Sequence, residues 1–310
     1  MSHHTPVLLN EVLEHLAVKA NGIYIDATFG RGGHSQEIFA RLDETGFLLA
    51  LDKDAEAVAS APQYLRQDPR FYIEQDSFTS LHRQATAKAW VGKVDGILLD
   101  LGVSSPQLDD AHRGFSFTKN GPLDMRMDHR QTLKAVTWIN TAEVTEIAEV
   151  LKKYGEERYA KRIAQHIVAE RDRSLIETTE HLADIVTKAN PRWEPHKHPA
   201  TRVFQAIRIF INAELTELTT VLPQTLDLLK IGGRLLVISF HSLEDRIVKD
   251  FSNVQSSTAH LPRGLPLTQI ELQAHVRLKK INGVIRASQA ELNQNPRARS
   301  AILRVMEKIK

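Results

Sequence analysis

Gly22-Ile-Tyr-Ile-Asp-Ala-Thr-Phe-Gly-Arg-Gly-Gly-His-Ser35 decides the fold. Ile23 to Ala27 is short, apolar and bounded by glycine, which suits a buried strand of a parallel sheet. Glycines follow at 30, 32 and 33, and then Ile38, Phe39 and Leu42 repeat at helical spacing. Strand, glycine turn and helix form the geometry that lets a backbone approach a nucleotide-like ligand closely. The turn is not a complete dinucleotide fingerprint, because Ser35 stands where a third glycine would fall. On its own it fits a tight strand-to-helix connection in any α/β protein equally well.

The pattern repeats downstream. Gly46 to Asp52, Arg70 to Glu74 and Val94 to Asp100 read as three more buried strands, with Asp76 just past the second of these. Asp26, Asp52, Asp76 and Asp100 thus recur at intervals of 26, 24 and 24 residues, the length of a strand, a short helix and their turns. Right-handed crossovers make these strands parallel, and all four carboxylates are expected at the carboxyl edge, where ligands bind. Each aspartate is also a fair helix N-cap; four in step favour a site. Such an edge repels a pyrophosphate and attracts a cation. Ribose hydroxyls, an amino group and a sulfonium describe S-adenosylmethionine better than NAD. Asp52, 20 residues past Gly32, is placed to accept from both ribose hydroxyls.

Composition narrows the chemistry. The 310 residues suffice for one large or two smaller domains, and 25% charged residues is ordinary for a globular chain. No apolar run reaches membrane-spanning length and no signal pattern opens the chain, so a cytoplasmic location without membrane association is expected. There is no cysteine, which removes thiolate metal ligands and thiol nucleophiles. Methylation of a pyrimidine at ring carbon 5 normally proceeds through a thiol adduct, so a pyrimidine target would be modified at nitrogen or oxygen. Net charge is only +2, but residues 275–310 hold nine Lys/Arg against two Asp/Glu, a local +7 that suits phosphates or simply a solvated surface.

Taken in order, Val7 to Leu16 reads as an amphipathic helix. Helices are expected over Ala55 to Leu65 and Phe78 to Trp90, with Phe78 placed either to cover an adenine or to anchor its helix. After Asp100 comes a long irregular stretch containing Arg113-Gly-Phe-Ser-Phe-Thr118, of the kind that usually carries function. Residues 142–153, 156–171, 179–188 and 200–222 read as helices, punctuated by Pro191, Pro195 and Pro199. The chain therefore divides into a sheet domain over 1–109, an inserted helical domain over 110–215 for substrate recognition, and the rest of the sheet domain over 216–310. A helix over Val221 to Lys230, capped by Gly232-Gly233, is expected to precede a fifth strand from Arg234 to Phe240, with late strands at Val276 to Ile281 and Ala301 to Glu307. His3-His4, adjacent at a terminus, suit solvent exposure better than metal binding, His196-x-His198 has no third ligand at useful spacing, and no metal site is expected.

Six segments together resemble one family. They are Thr28 to Ser35, Asp100 to Asp109, Gly121 to Met127, His198 to Arg202 with Phe204-Gln-Ala206, Ser239 to Arg246, and Asn295 to Ser300. In this order they look like the RsmH/MraW family of bacterial small-subunit ribosomal RNA (cytosine-N4)-methyltransferases. The resemblance implies a Rossmann-like class I methyltransferase fold with an inserted helical domain, S-adenosylmethionine as donor, and a cytosine in the decoding centre of 16S RNA, within an assembled or nearly assembled subunit, as target. It also extends an expectation of a homodimer. Carried onto this chain, the family's cofactor contacts fall on Gly32, Gly33, His34, Asp52, Phe78, Asp100 and Gln107. Asp100 is the candidate catalytic residue, positioning the target amine or else holding the cofactor's amino group. The Asp/Asn/Ser-Pro-Pro-aromatic signature of typical amino-methyltransferases is replaced here by Asp100-Leu-Gly-Val-Ser-Ser-Pro106. Phe115, Phe117 and Trp138 are candidates to stack on an extruded base, or else to pack between the domains, and Arg126, Arg202, Arg297 and Arg299 are candidates for RNA phosphates. Rival readings are a small-molecule or protein methyltransferase of the same fold, and a nucleotide-binding module without catalysis.

Overall fold

The computed structural model describes residues 6–192, 198–259 and 275–310. His3, His4, Pro195 and His196 lie outside them. The described chain forms two compact units, residues 1–102 with 215–310, and residues 103–214.

The first unit is built on a seven-stranded sheet. Its strands are β1 (Ile23–Asp26), β2 (Phe47–Asp52), β3 (Phe71–Gln75), β4 (Val94–Asp100), β5 (Leu229–Ser239), β6 (Leu278–Ile285) and β7 (Ile302–Lys308). The spatial order is β3-β2-β1-β4-β5-β7-β6. Strands β1 to β5 pair in parallel, and β7 runs antiparallel to both β5 and β6. Helices cover both faces, which is why Phe47–Leu51, Ile97–Leu99 and Leu235–Ile238 are apolar runs. Alternate residues divide cleanly between the faces. Ile25, Leu49, Leu51, Ile97, Leu99, Leu235 and Val237 pack on α5 (Leu81–Ala87), α12 (Glu214–Leu228) and α13 (Ser242–Ser256). Tyr24, Leu48, Ala50, Leu98, Leu236 and Ile238 pack on α1 (Leu9–Leu16), α2 (Gly33–Phe39) and α4 (Gln63–Arg66).

The second unit has its own core, in which Trp138, Ile147, Leu151, Ile163, Ile167, Val186, Val203 and Ile207 are buried together. It is formed mainly by α7 (Ala135–Thr141), α8 (Val144–Gly155), α9 (Ala160–Arg171), α10 (Thr179–Ala189) and α11 (Ala200–Ile211), after a short α6 (Ser105–Asp109).

Three expected elements differ. The helix over 55–65 is two short ones, α3 (Ala55–Ala59) and α4, because Pro62 cannot continue a helix and instead opens the next. The helix over 200–222 is broken between Ile211 and Glu214. There Ala213 adopts φ +50°, and the Asn212 amide turns inward, donating to the Met125 carbonyl at 2.8 Å and accepting from Met127 N at 2.7 Å. Gly232-Gly233 does not cap a helix. Leu229 already pairs with Val94, the ladder resumes at Arg234 opposite Gly96, and Gly232 at φ +79° makes the bulge between them.

Candidate cofactor site

The order of the strands reverses between β1 and β4, and the carboxyl edge at such a switch point is where open α/β sheets bind ligands. Asp26 and Asp100 are the last residues of those two strands, and Asp52 is the last of β2.

Each carboxylate is fixed differently. Asp26, 1% exposed, accepts from the Ser35 hydroxyl at 2.6 Å and from Thr28 N at 3.2 Å. Asp52 accepts from Gly30 N at 2.8 Å through Oδ2 and from Asp54 N at 2.9 Å through Oδ1. Asp100 donates its backbone N–H to Thr28 Oγ1 at 2.7 Å, but its side chain has no such anchor. Its Oδ1 is buried without a hydrogen-bond partner, and the nearest basic atom to Oδ2 is His34 Nδ1, 3.8 Å away. Among the described residues no lysine or arginine pairs with Asp26, Asp52 or Asp100. Lys53, adjacent in sequence, turns instead to Glu217 at 2.6 Å. Burial pushes the Asp52 carboxyl up to about 6 against its two backbone donors, and raises Asp26. Burial, then the charges of Asp26 and Glu244, raises Asp100 well above the usual carboxylate range.

Asp76 does not complete a ring of four. It follows β3 at the same edge, but it is paired with Arg83 and accepts from Ser77 N at 2.9 Å and Gln84 Nε2 at 3.1 Å. The capping alternative applies to the neighbours of these aspartates: Asp54 caps α3 through Glu56 N, and Ser77 caps the short 3-10 turn that starts at Phe78.

The glycine turn is shaped mostly by its own packing. A Cβ on Gly32, where φ is +75°, would sit 2.5 Å from the Phe29 ring, and one on Gly33 would sit 2.1 Å from Pro6. Only at Gly30 (φ +57°) would a Cβ meet open space, its nearest neighbour being the Thr28 carbonyl at 4.0 Å. His34 is buried, donates through Nε2 to the Val7 carbonyl at 3.1 Å, and is pushed down to about 4 by burial. The imidazole is thus neutral, with Nδ1 left as a bare acceptor. Phe78 is half-buried, packs against the α5 face of the sheet, and has Lys53 Nζ 6.0 Å from its ring. Gly32, Gly33, His34, Asp52, Phe78 and Asp100 all belong to the sheet unit. Gln107 belongs to the helical unit, where its Oε1 accepts from Ser104 N at 2.9 Å at the start of α6.

Four further residues shape this edge. Ser35 and Thr28 hold Asp26 and the Asp100 backbone. Glu244, 2% exposed, accepts from Phe240 N at 2.8 Å and His241 N at 3.3 Å, closing the start of α13 beyond β5. His241 reciprocates as its N-cap. The signal was the spacing of His241 and Glu244, a capping pair three residues apart after a strand.

Other candidates resolve by packing. Phe115 and Trp138 are buried in the core of the helical unit, with Trp138 Nε1 donating to Glu146 at 2.6 Å. Phe117 is half-buried, 4.6 Å from the His198 ring and 5.1 Å from Phe204. Arg126 is spent internally, bidentate to Asp124 and donating to the Gln131 carbonyl at 2.6 Å. Arg297 and Arg299 are exposed on a 3-10 turn, Pro296–Ser300.

A Rossmann-like sheet with one antiparallel strand between β5 and β6, and a carboxylate-lined switch point, is the fold of class I S-adenosylmethionine-dependent methyltransferases. Within that class the chain belongs to the MraW methylase family, whose model matches residues 1–309. It is 55% identical over 309 residues to ribosomal RNA small subunit methyltransferase H of Coxiella burnetii (strain RSA 331 / Henzerling II), covering 100% of both chains. It is 53% identical, with the same coverage, to the protein of that name from Legionella pneumophila (strain Paris). Among solved structures, an rRNA methylase from Streptococcus thermophilus aligns over 100% of this chain and 99% of its own, at 11% identity and a TM-score of 0.40.

Proposed function

We propose that this protein transfers a methyl group from S-adenosylmethionine to the exocyclic N4 of a cytosine in the decoding centre of small-subunit ribosomal RNA. The observation that carries the donor assignment is the unpartnered Oδ1 of Asp100, at a sheet edge where Asp26 and Asp52 also lack any lysine or arginine among the described residues. That donor set fits a cationic ligand with hydroxyls to donate, and Gly30 leaves space beside it. Support for the RNA target comes from relatives 53–55% identical over their full length and named as small-subunit rRNA methyltransferases. The cytosine-N4 specificity rests on the family resemblance, and the lack of cysteine agrees with a nitrogen target.

When bound, S-adenosylmethionine supplies a methyl carbon made electrophilic by its sulfonium. Asp52 binds ribose hydroxyls while its two backbone bonds hold the carboxylate in place. Phe78 would cover the adenine, and the backbone from Gly32 to His34 would fix the cofactor's approach. The cytosine amine is a weak nucleophile because its lone pair is delocalised into the ring. The protein therefore chiefly positions it in line with the transferring methyl, a contribution of up to about 11 kcal/mol. Asp100, or carbonyls that follow it, accepts from the amino hydrogens and localises the lone pair, or else Asp100 holds the cofactor's ammonium. Residues 103–214 supply substrate recognition, with the half-exposed Phe117 as the stacking ring. The substrate is an assembled or nearly assembled subunit in the cytoplasm.

Transfer of labelled methyl to naked RNA, small subunits and protein extract tests this reading. Label in the RNA of small subunits is the expected result, and label only in protein would contradict it.

A further inference from the structure

Charge is divided unevenly along one hairpin of the helical unit. Helices α8 and α9 pack side by side and are joined by the four residues 156–159. Lys152 and Lys153 end α8, Arg158 lies in the connection, and Lys161 and Arg162 open α9. All five side chains are exposed, and among the described residues none forms an ion pair or a side-chain hydrogen bond. Carboxylates gather at the other end, with Glu143 and Glu146 at the start of α8 and Glu170 near the end of α9. At the cationic corner Glu157 is buried and accepts from Tyr159 N at 2.9 Å. Arg202, in the first turn of α11, donates to the Glu156 carbonyl at 3.5 Å, and Phe204, two residues on, meets Phe117 edge-on at 5.1 Å. The corner and the proposed stacking ring thus both adjoin the start of α11.

Helix stability accounts for only part of this pattern. Lys152 and Lys153 suit the negative end of α8. Lys161 and Arg162 occupy the first turn of α9, where cations are unfavourable and no acidic residue offsets them. Lys153 Nζ lies 4.9 Å from the Tyr154 ring and the Arg158 guanidinium 5.8 Å from the Tyr159 ring, contacts that hold both charges at the surface. Residues 152–162 expose no large apolar side chain, so the corner lacks the apolar centre of a protein interface. Unpaired cations without such a centre match a phosphate backbone. We propose that the α8–α9 corner is the RNA-phosphate contact of the helical unit, and that Lys161 and Arg162 stand at the start of α9 for that ligand despite their cost to the helix. The inference rests on the RNA reading above and names a surface that serves it.

Charge reversal separates RNA binding from folding. Lys161→Glu and Arg162→Glu place acids where the α9 dipole favours them, so the melting temperature of the full chain should hold or rise. Binding of each variant to purified small subunits should weaken several-fold, with the salt-dependence slope lower by about 1 per lost phosphate contact. Affinity for S-adenosylmethionine should match the wild type, and Lys161→Arg should bind subunits as the wild type does. A photocrosslinking side chain at position 161 should join RNA. Should a reversal fail to fold, Lys161→Gln and Arg162→Gln carry the slope measurement. Wild-type affinity and slope in these variants, whatever their melting temperature, overturns the inference and leaves the RNA reading intact. A crosslink to ribosomal protein alone does the same, since it makes an acidic protein the partner. Failure of the wild type to bind either small subunits or their RNA sinks that reading and the inference with it.

Discussion

Asp52 Oδ2 accepts the backbone N–H of Gly30 at 2.8 Å, so the last residue of β2 holds the glycine turn that follows β1. The same carboxylate is the proposed ribose contact, and one side chain thus joins the shape of the turn to ligand binding. Removing it in Asp52→Ala forfeits charged hydrogen bonds worth about 1.5–3 kcal/mol each. Affinity for S-adenosylmethionine should fall more than about a hundredfold, as read by calorimetry. Unchanged affinity would refute the ribose role.

The glycines of the turn should not be equivalent. Gly30→Ala meets only the cost of positive φ, about 1–2 kcal/mol, because open space surrounds the new methyl. Gly32→Ala meets that cost and drives a methyl to within 2.5 Å of the Phe29 ring. Thermal unfolding of the cofactor-free protein should therefore rank Gly32→Ala below Gly30→Ala. Equal melting temperatures would show that packing against Phe29 does not govern the turn.

The raised Asp52 carboxyl gives stability a pH dependence of defined sign. Its folded value, about 6, lies above the ordinary carboxylate value near 4, so the fold favours the protonated form. The stability this contributes is complete below about pH 4 and is lost as pH rises through about 6, up to about 3 kcal/mol in all. Asp52→Asn cannot titrate. The unfolding free energy of wild type minus that of Asp52→Asn should fall between pH 4 and 6 in the cofactor-free state. A difference that rises over this interval would contradict the assignment.

Much of this was legible in the sequence, for a physical reason. Ile23–Ile25, Phe47–Leu51 and Ile97–Leu99 are apolar runs that each stop at an aspartate, so Asp26, Asp52 and Asp100 mark the sheet edge in the sequence alone. What one-dimensional spacing does not carry is where a side chain turns once it reaches that edge. Asp76 keeps the interval but is taken by Arg83 and Gln84. Gly232-Gly233 has the composition of a helix cap, but the early pairing of Leu229 with Val94 makes it a bulge. The break at Asn212 depends on Met125 and Met127, more than eighty residues away in the chain, and no local pattern reports it. In sequence alone Phe115 and Trp138 fit either a ring platform or a packing role, because the core of the helical unit that buries them is assembled from distant helices.

The two exposed arginines on the turn before β7 are candidates for RNA phosphates. Arg297→Ala and Arg299→Ala are each expected to weaken binding to small-subunit RNA several-fold and to lower the salt-dependence slope by about 1, with S-adenosylmethionine affinity unchanged. Arg126→Ala, whose guanidinium is held by Asp124, should instead lower the melting temperature and leave that slope alone. Salt slopes from filter binding separate the two outcomes.

The proposed reaction is methyl transfer to the exocyclic nitrogen of cytosine. Small subunits from cells lacking this enzyme, incubated with the purified protein and methyl-labelled S-adenosylmethionine and then digested to nucleosides, test it most directly by mass spectrometry. Label is expected in N4-methylcytidine at one position of the small-subunit RNA, and none with Asp52→Ala. Label in 5-methylcytidine, or in a nucleoside other than cytidine, would contradict it.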